Sequence, residues 1–155
     1  HPHSKLTALP ELPLSWGVSP SASPISKSDL SPGRIGREGA LMLYSPFAPR
    51  FPLETWILPE DCAPFESADS SQLISLGRGL ERLLKATAAL LGEPALTMGI
   101  CAPPPEQGVR WKLEIIPRGF PPGESLLTGW SIDALAPART LELMKQKLEE
   151  LDPVS

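Results

Sequence analysis

At 155 residues, 41% of them hydrophobic and with a net charge of −4, the chain has the size and apolar content of one ordinary domain. Its 14 Lys and Arg are scattered and outnumbered by 18 Asp and Glu, which argues against nucleic acid as a partner and leaves a local pocket as the way to hold a phosphate. No apolar run approaches the ~18 residues of a membrane span, and two cysteines without C-x-x-C spacing make neither a disulfide framework nor a zinc knuckle. Two buried or idle thiols in a reducing, cytoplasmic setting are the expectation.

The chain opens His1-Pro2-His3 rather than with Met, and is read as a piece of a longer protein. Residues 9–36 are rich in Pro, Ser and Gly, with Pro10, Pro13, Pro20, Pro24 and Pro32 and no sustained apolar period. This predicts an extended arm rather than a strand layer, and so long a stretch without regular structure usually serves a function or a partner. The arm is expected to lie across a neighbouring half or subunit, with Trp16 docking there because an arm offers an indole little core of its own. Regular structure is expected from Gly39 on, which divides the chain into a leading segment and arm at 1–38 and a folded domain at 39–155.

Within that domain, residues 40–44 form a short apolar run suited to a buried strand. Residues 51–58 predict a second strand, with Phe51, Leu53, Thr55 and Ile57 on one face and Glu54 and Trp56 on the other. Residues 69–91 carry the strongest helix pattern: Leu73, Leu76, Leu80, Leu83, Leu84, Leu90 and Leu91 share one broad stripe. Asp69 and Gln72 are spaced as a capping box, and Gly92 suits the residue after the helix. Gly77 and Gly79 mark either a close approach to a sheet or simple tolerance.

Residues 95–101 and 109–117 predict two more strands. In the second, Val109, Trp111, Leu113 and Ile115 point one way, while Arg110, Lys112, Glu114 and Ile116 point the other. A short strand at 126–132 and a helix from about Pro137, with Leu141, Met144, Leu148 and Leu151 at helical spacing, complete the pattern. The order β-β-α-β-β-β-α with hairpin-length joins predicts an α+β domain: an antiparallel sheet with both helices on one face.

Three stretches in register then resemble the galactose-1-phosphate uridylyltransferase family of the histidine-triad superfamily. The opening H-P-H-S-K-L-T-A-L-P-E-L-P is similar to that family's active-site segment, H-P-H-(S/G)-Q followed by an apolar strand. The block S-P-F-A-P-R-F-P-L-E-T-W-I-L-P resembles the start of its C-terminal domain, and W-K-L-E-I-I-P-R followed by T-G-W-S-I-D resembles its closing strand and substrate-proximal loop. The resemblance implies a histidine-triad-like fold, with the chain as the half that begins at the H-P-H motif. It implies a nucleotidyltransferase in which His3 attacks the α-phosphorus of a nucleotide sugar and is transiently nucleotidylated, with Ser4, Lys5, Thr128, Gly129 and Trp130 beside the substrate. It further implies His1 as a ligand of one structural zinc whose other ligands come from an upstream half, and a homodimer or second half as partner. The chemistry is sound in itself, since a neutral imidazole attacks phosphorus near pH 7 and leaves it readily.

The departures define the alternatives. The family's Gln two residues beyond the nucleophile is Lys5 here, a point charge in place of a neutral amide. Where the closing strand would carry histidines for a second metal, the chain has Arg110, Lys112 and Glu114, with Cys101 near a further ligand position, so loss of that second site is expected. Lys112 and Glu114 are expected as an ion pair on a solvated sheet face, and Trp56 and Trp111 as core or interface anchors. Two other functions fit the same sequence: a degenerate, non-catalytic nucleotide-binding or dimerisation half, and a dinucleotide phosphorylase or hydrolase of the same superfamily.

Overall fold

A computed structural model of the chain describes residues 32–47, 49, 51–102, 110–118 and 137–151. They form β1 (Arg34–Glu38), β2 (Leu41–Tyr44), β3 (Thr55–Pro59), α1 (Ser70–Leu91), β4 (Ala95–Cys101), β5 (Lys112–Arg118) and α2 (Pro137–Leu151). The five strands make one antiparallel sheet in the order β1-β2-β3-β5-β4. The described residues thus form an α+β domain with two α-helices.

The long helix starts where its side chains can close the free backbone donors. Asp69 accepts a hydrogen bond from the Gln72 amide at 2.8 Å, and Gln72 Oε1 accepts one from the Asp69 amide at 3.2 Å. The two bonds complete the predicted capping box. At the other end Gly92 takes φ 79°, a conformation a side chain resists, and the helix stops. We expect Asp69→Ala to cost about 1 kcal/mol in urea unfolding, through loss of this cap.

Both helices pack on one face of the sheet. Leu83 and Ala86 of α1 and Met144 and Leu148 of α2 join Leu41, Leu43, Ile57, Leu113 and Ile115 in the main core. Trp111, which precedes β5, closes that core edge-on against Phe65 at 5.1 Å. The predicted stripe on α1 holds from Leu76 onward, whereas Leu73, in the first turn, is exposed.

The two glycines of α1 separate cleanly. A Cβ on Gly79 would sit 3.0 Å from Leu43 Cδ2 and 3.4 Å from Ile57 Cδ1, so this glycine lets the helix approach the sheet. A Cβ on Gly77 would meet open space. Gly77→Ala should therefore stabilise the domain by about 1 kcal/mol, the helix-propensity difference, while Gly79→Ala should gain clearly less or lose stability. Equal gains at both positions in urea unfolding would contradict this packing.

The remaining differences from expectation have local causes. Regular structure begins at Arg34 and not at Gly39: β1 pairs with β2 although it carries a single apolar residue, Ile35, which a register shift turns into the core. The strand expected over 51–58 starts only at Thr55. Leu53 takes φ 59°, and the Glu54 amide bonds back to the Phe51 carbonyl at 3.1 Å, so the chain turns there before it extends. Its faces are nevertheless as read, with Leu53 and Ile57 in the main core and Trp56 opposite. Cys62 is exposed and Cys101 half-buried, so neither is a buried core thiol. Of the arm expected over 9–36, residues 9–31 lie outside the described residues and its end enters β1; the strand expected at 126–132 also lies outside them. No helix among the described residues is long and apolar enough to cross a membrane.

Candidate functional site

Among the described residues, the sheet face away from the helices holds a dense group of polar and charged side chains. Strand alternation sends Met42 and Tyr44 of β2 and Trp56 and Leu58 of β3 to that face, where they form a second buried cluster containing no helix residue. Trp56 pairs across β3 and β5 with Glu114, and Glu114 in turn pairs across β5 and β4 with Gly99. Lys112, two residues before Glu114, pairs with Cys101. Period-two alternation on three strands therefore assembles the group.

Its geometry is specific. Lys112 Nζ lies 2.8 Å from Glu114 Oε1 and 3.7 Å from the centroid of the Trp56 ring, an ion pair and a cation–π contact made by one ammonium. The Trp56 indole stacks on Tyr44 at 5.8 Å and donates from Nε1 to Glu54 Oε1 at 2.9 Å, with Glu54 fully buried. The side chains of Lys112 and Glu114 are only 14% and 12% exposed. The expected solvated ion pair is thus a largely dry one. The correction arises because local alternation says which side chains share a face, but not whether that face meets water.

Arg110 is engaged elsewhere. Its Nε and Nη2 donate to the Glu60 carbonyl at 3.2 and 2.9 Å, which ties the approach to β5 onto the end of β3. Glu60 also pairs with Arg37 at 3.0 Å. A guanidinium, an ammonium and one carboxylate do not make a ligand set for a divalent metal. Among the described residues no group of three His, Cys, Asp or Glu side chains is placed to hold one. A second metal does not fit at Arg110, Lys112 and Glu114.

The chain contains two histidines, His1 and His3, so residues 4–155 supply no imidazole nucleophile. His1, His3, Ser4, Lys5, Thr128, Gly129 and Trp130 all lie outside the described residues. The structure brings together Lys112 and Glu114 from the sequence reading and adds Glu54 and Trp56 to them. The added pair was visible only as the minority face of a strand read mainly for its apolar side.

No family model matches the sequence, and no curated protein matches it. Solved structures do match in fold. A GalT-like protein from Arabidopsis thaliana superposes with a TM-score of 0.63 at 26% identity, over 74% of this chain and 40% of that one. An ADP-glucose phosphorylase from Arabidopsis thaliana with bound ADP-glucose gives 0.61 at 24% identity, over 74% of this chain and 39% of that one. A zinc-bound histidine triad family protein from Mycobacterium smegmatis gives 0.62 at 17% identity, over 87% of this chain and 99% of that one. The fold is histidine-triad-like, and these likenesses support the histidine-triad superfamily. The chain spans about two-fifths of the length of the first two proteins and nearly all of the third.

Proposed function

We propose that this chain is the half of a nucleotidyltransferase resembling galactose-1-phosphate uridylyltransferase that begins at its active-site segment, with the covalent chemistry on His3. The observation that carries the reading is the likeness of the fold to histidine-triad and GalT-like proteins, joined to the H-P-H segment at residues 1–3. Within this chain a histidine mechanism has His1 and His3 to draw on, and the H-P-H resemblance assigns the nucleophile to His3 and a structural zinc ligand to His1.

In this proposal an imidazole nitrogen of His3 attacks the α-phosphorus of a nucleotide sugar. The bond from phosphorus to the bridging oxygen breaks, and the sugar phosphate departs with that electron pair. A phosphate oxygen of the acceptor next attacks the same phosphorus, the P–N bond breaks, and the imidazole is restored. Ser4 and Lys5 would hold phosphate oxygens, with the Lys5 ammonium balancing charge that a neutral amide would only orient. Thr128, Gly129 and Trp130 would border the sugar. An upstream half of a longer chain or a second copy would supply the remaining zinc ligands and the rest of the pocket. A structural zinc there would fix the segment that presents His3.

A second reading, a non-catalytic nucleotide-binding or dimerisation half, draws on the sheet face, where Arg110, Lys112 and Glu114 already engage partners within the fold. Intact mass spectrometry of the native protein containing this chain separates the two, after incubation with UDP-sugars, ADP-sugars and dinucleotides. Added mass equal to one nucleoside monophosphate supports the transferase and names the base. Nucleotide binding with no added mass would overturn it in favour of the binding half. A dinucleotide phosphorylase or hydrolase would share the adduct and differ in the acceptor that discharges it.

A further inference from the structure

The two outer strands of the described sheet are built differently. β1 carries charge along its length in Arg34, Arg37 and Glu38, and a register shift interrupts its pairing with β2. Arg82 also donates to the Arg37 carbonyl at 3.1 Å. Charges and irregularities of this kind keep a sheet edge from pairing with another chain. At the other end, β4 has neither. Its sequence Ala95-Leu96-Thr97-Met98-Gly99-Ile100-Cys101 holds no charge and no proline, and it pairs with β5 at every residue without a shift. All of its residues are exposed or half-exposed, and no described strand lies beyond it.

The same edge exposes apolar surface. Met98 and Ile100 pair across to Ile115 and Leu113 of β5, two residues of the main core, so they share the face on which the helices pack. The helices lie chiefly over β1, β2 and β3, however, which leaves Met98 49% and Ile100 39% exposed. Leu96, on the same face, reaches the core and is half-buried.

We propose that β4 is where a second copy of this chain adds to the sheet, antiparallel, about a two-fold axis at Met98. The strand is complementary to itself. An axis there, normal to the sheet, pairs all 7 residues of the strand. On the helix side it sets Leu96 of one copy against Ile100 of the other, and Met98 against Met98. On the opposite side it sets Thr97 against Gly99 and Ala95 against Cys101, all small residues. Each large apolar side chain thus meets another, and no charge opposes a like charge. The charged, shifted edge at β1 offers a second copy nothing comparable. This interface stands independently of the reaction assigned to His3.

Sedimentation velocity and disulfide trapping of the intact chain test it. The wild-type chain is expected to be a dimer. Met98→Lys is expected to be a monomer at the same concentration with unchanged circular dichroism, because two ammonium groups would oppose each other at the axis. In a Cys62→Ser, Cys101→Ser background, Met98→Cys should join two copies by a disulfide on mild oxidation. Residues directly opposite on antiparallel strands have Cα atoms about 4.5–5.5 Å apart, within disulfide reach. Arg34→Cys on β1 should not be trapped in the same background. A monomeric wild-type chain, a dimer that Met98→Lys leaves intact, or trapping at Arg34 rather than Met98 would each overturn the proposal. None of these outcomes depends on a nucleotide adduct.

Discussion

Replacing His3 by alanine should abolish the nucleoside-monophosphate adduct and lower turnover by about 10⁴-fold or more, the usual consequence of deleting a covalent nucleophile. The prediction is sharp because the chain offers so few substitutes. Of its two histidines the other is His1, two residues away, and the folded domain at residues 39–155 has none. His1→Ala should behave differently. As a loss of zinc support it should lower metal content along with activity, and should leave a residual adduct that depends on added zinc. Metal analysis beside intact mass distinguishes the two variants. An adduct that survives in His3→Ala at its original level would remove His3 from the chemistry.

Lys112→Met should destabilise the domain by about 3 kcal/mol, although by sequence it alters one lysine on a strand of alternating charge. The Lys112 ammonium sits 2.8 Å from Glu114 and 3.7 Å from the Trp56 ring centroid, with both charged side chains largely buried. Removing it leaves the Glu114 carboxylate in a nearly dry setting without that counter-ion, and losing a partner is costly for a desolvated charge. The paired variant Lys112→Met with Glu114→Leu should recover most of the loss, because exchanging a whole buried pair for apolar side chains is close to neutral. Urea unfolding of the two single variants and the double variant closes the cycle. Additive losses would mean that the contact seen here does not couple the two residues.

The helix α1 was readable nearly to its ends, since its apolar stripe, the Asp69–Gln72 cap and Gly92 are all local signals. The faces of β3 and β5 were readable from period-two alternation alone, and from them the membership of Trp56, Lys112 and Glu114 in one surface. Strand β1 was not readable. Arg34-Ile35-Gly36-Arg37-Glu38 has one apolar residue and no alternation, and it extends because β2 offers a row of backbone partners. Leu53 defeated the strand reading for a related reason: its left-handed turn is set by what surrounds it, and leucine carries no sign of it. The residues assigned to the reaction, from His1 to Lys5 and at Thr128, Gly129 and Trp130, were found through resemblance and lie outside the described residues.

By itself, then, the sequence determined which segments are helical, which side chains share a strand face, and that residues 4–155 carry no histidine. Each of these depends on spacing along the chain or on residue type. The tertiary structure decided the strand order β1-β2-β3-β5-β4, which glycine of α1 touches the sheet, and the burial of Lys112 with Glu114 against Trp56. Those depend on which distant segments meet. Backbone pairing and desolvation act between residues near in space, and spacing along the chain does not encode that nearness.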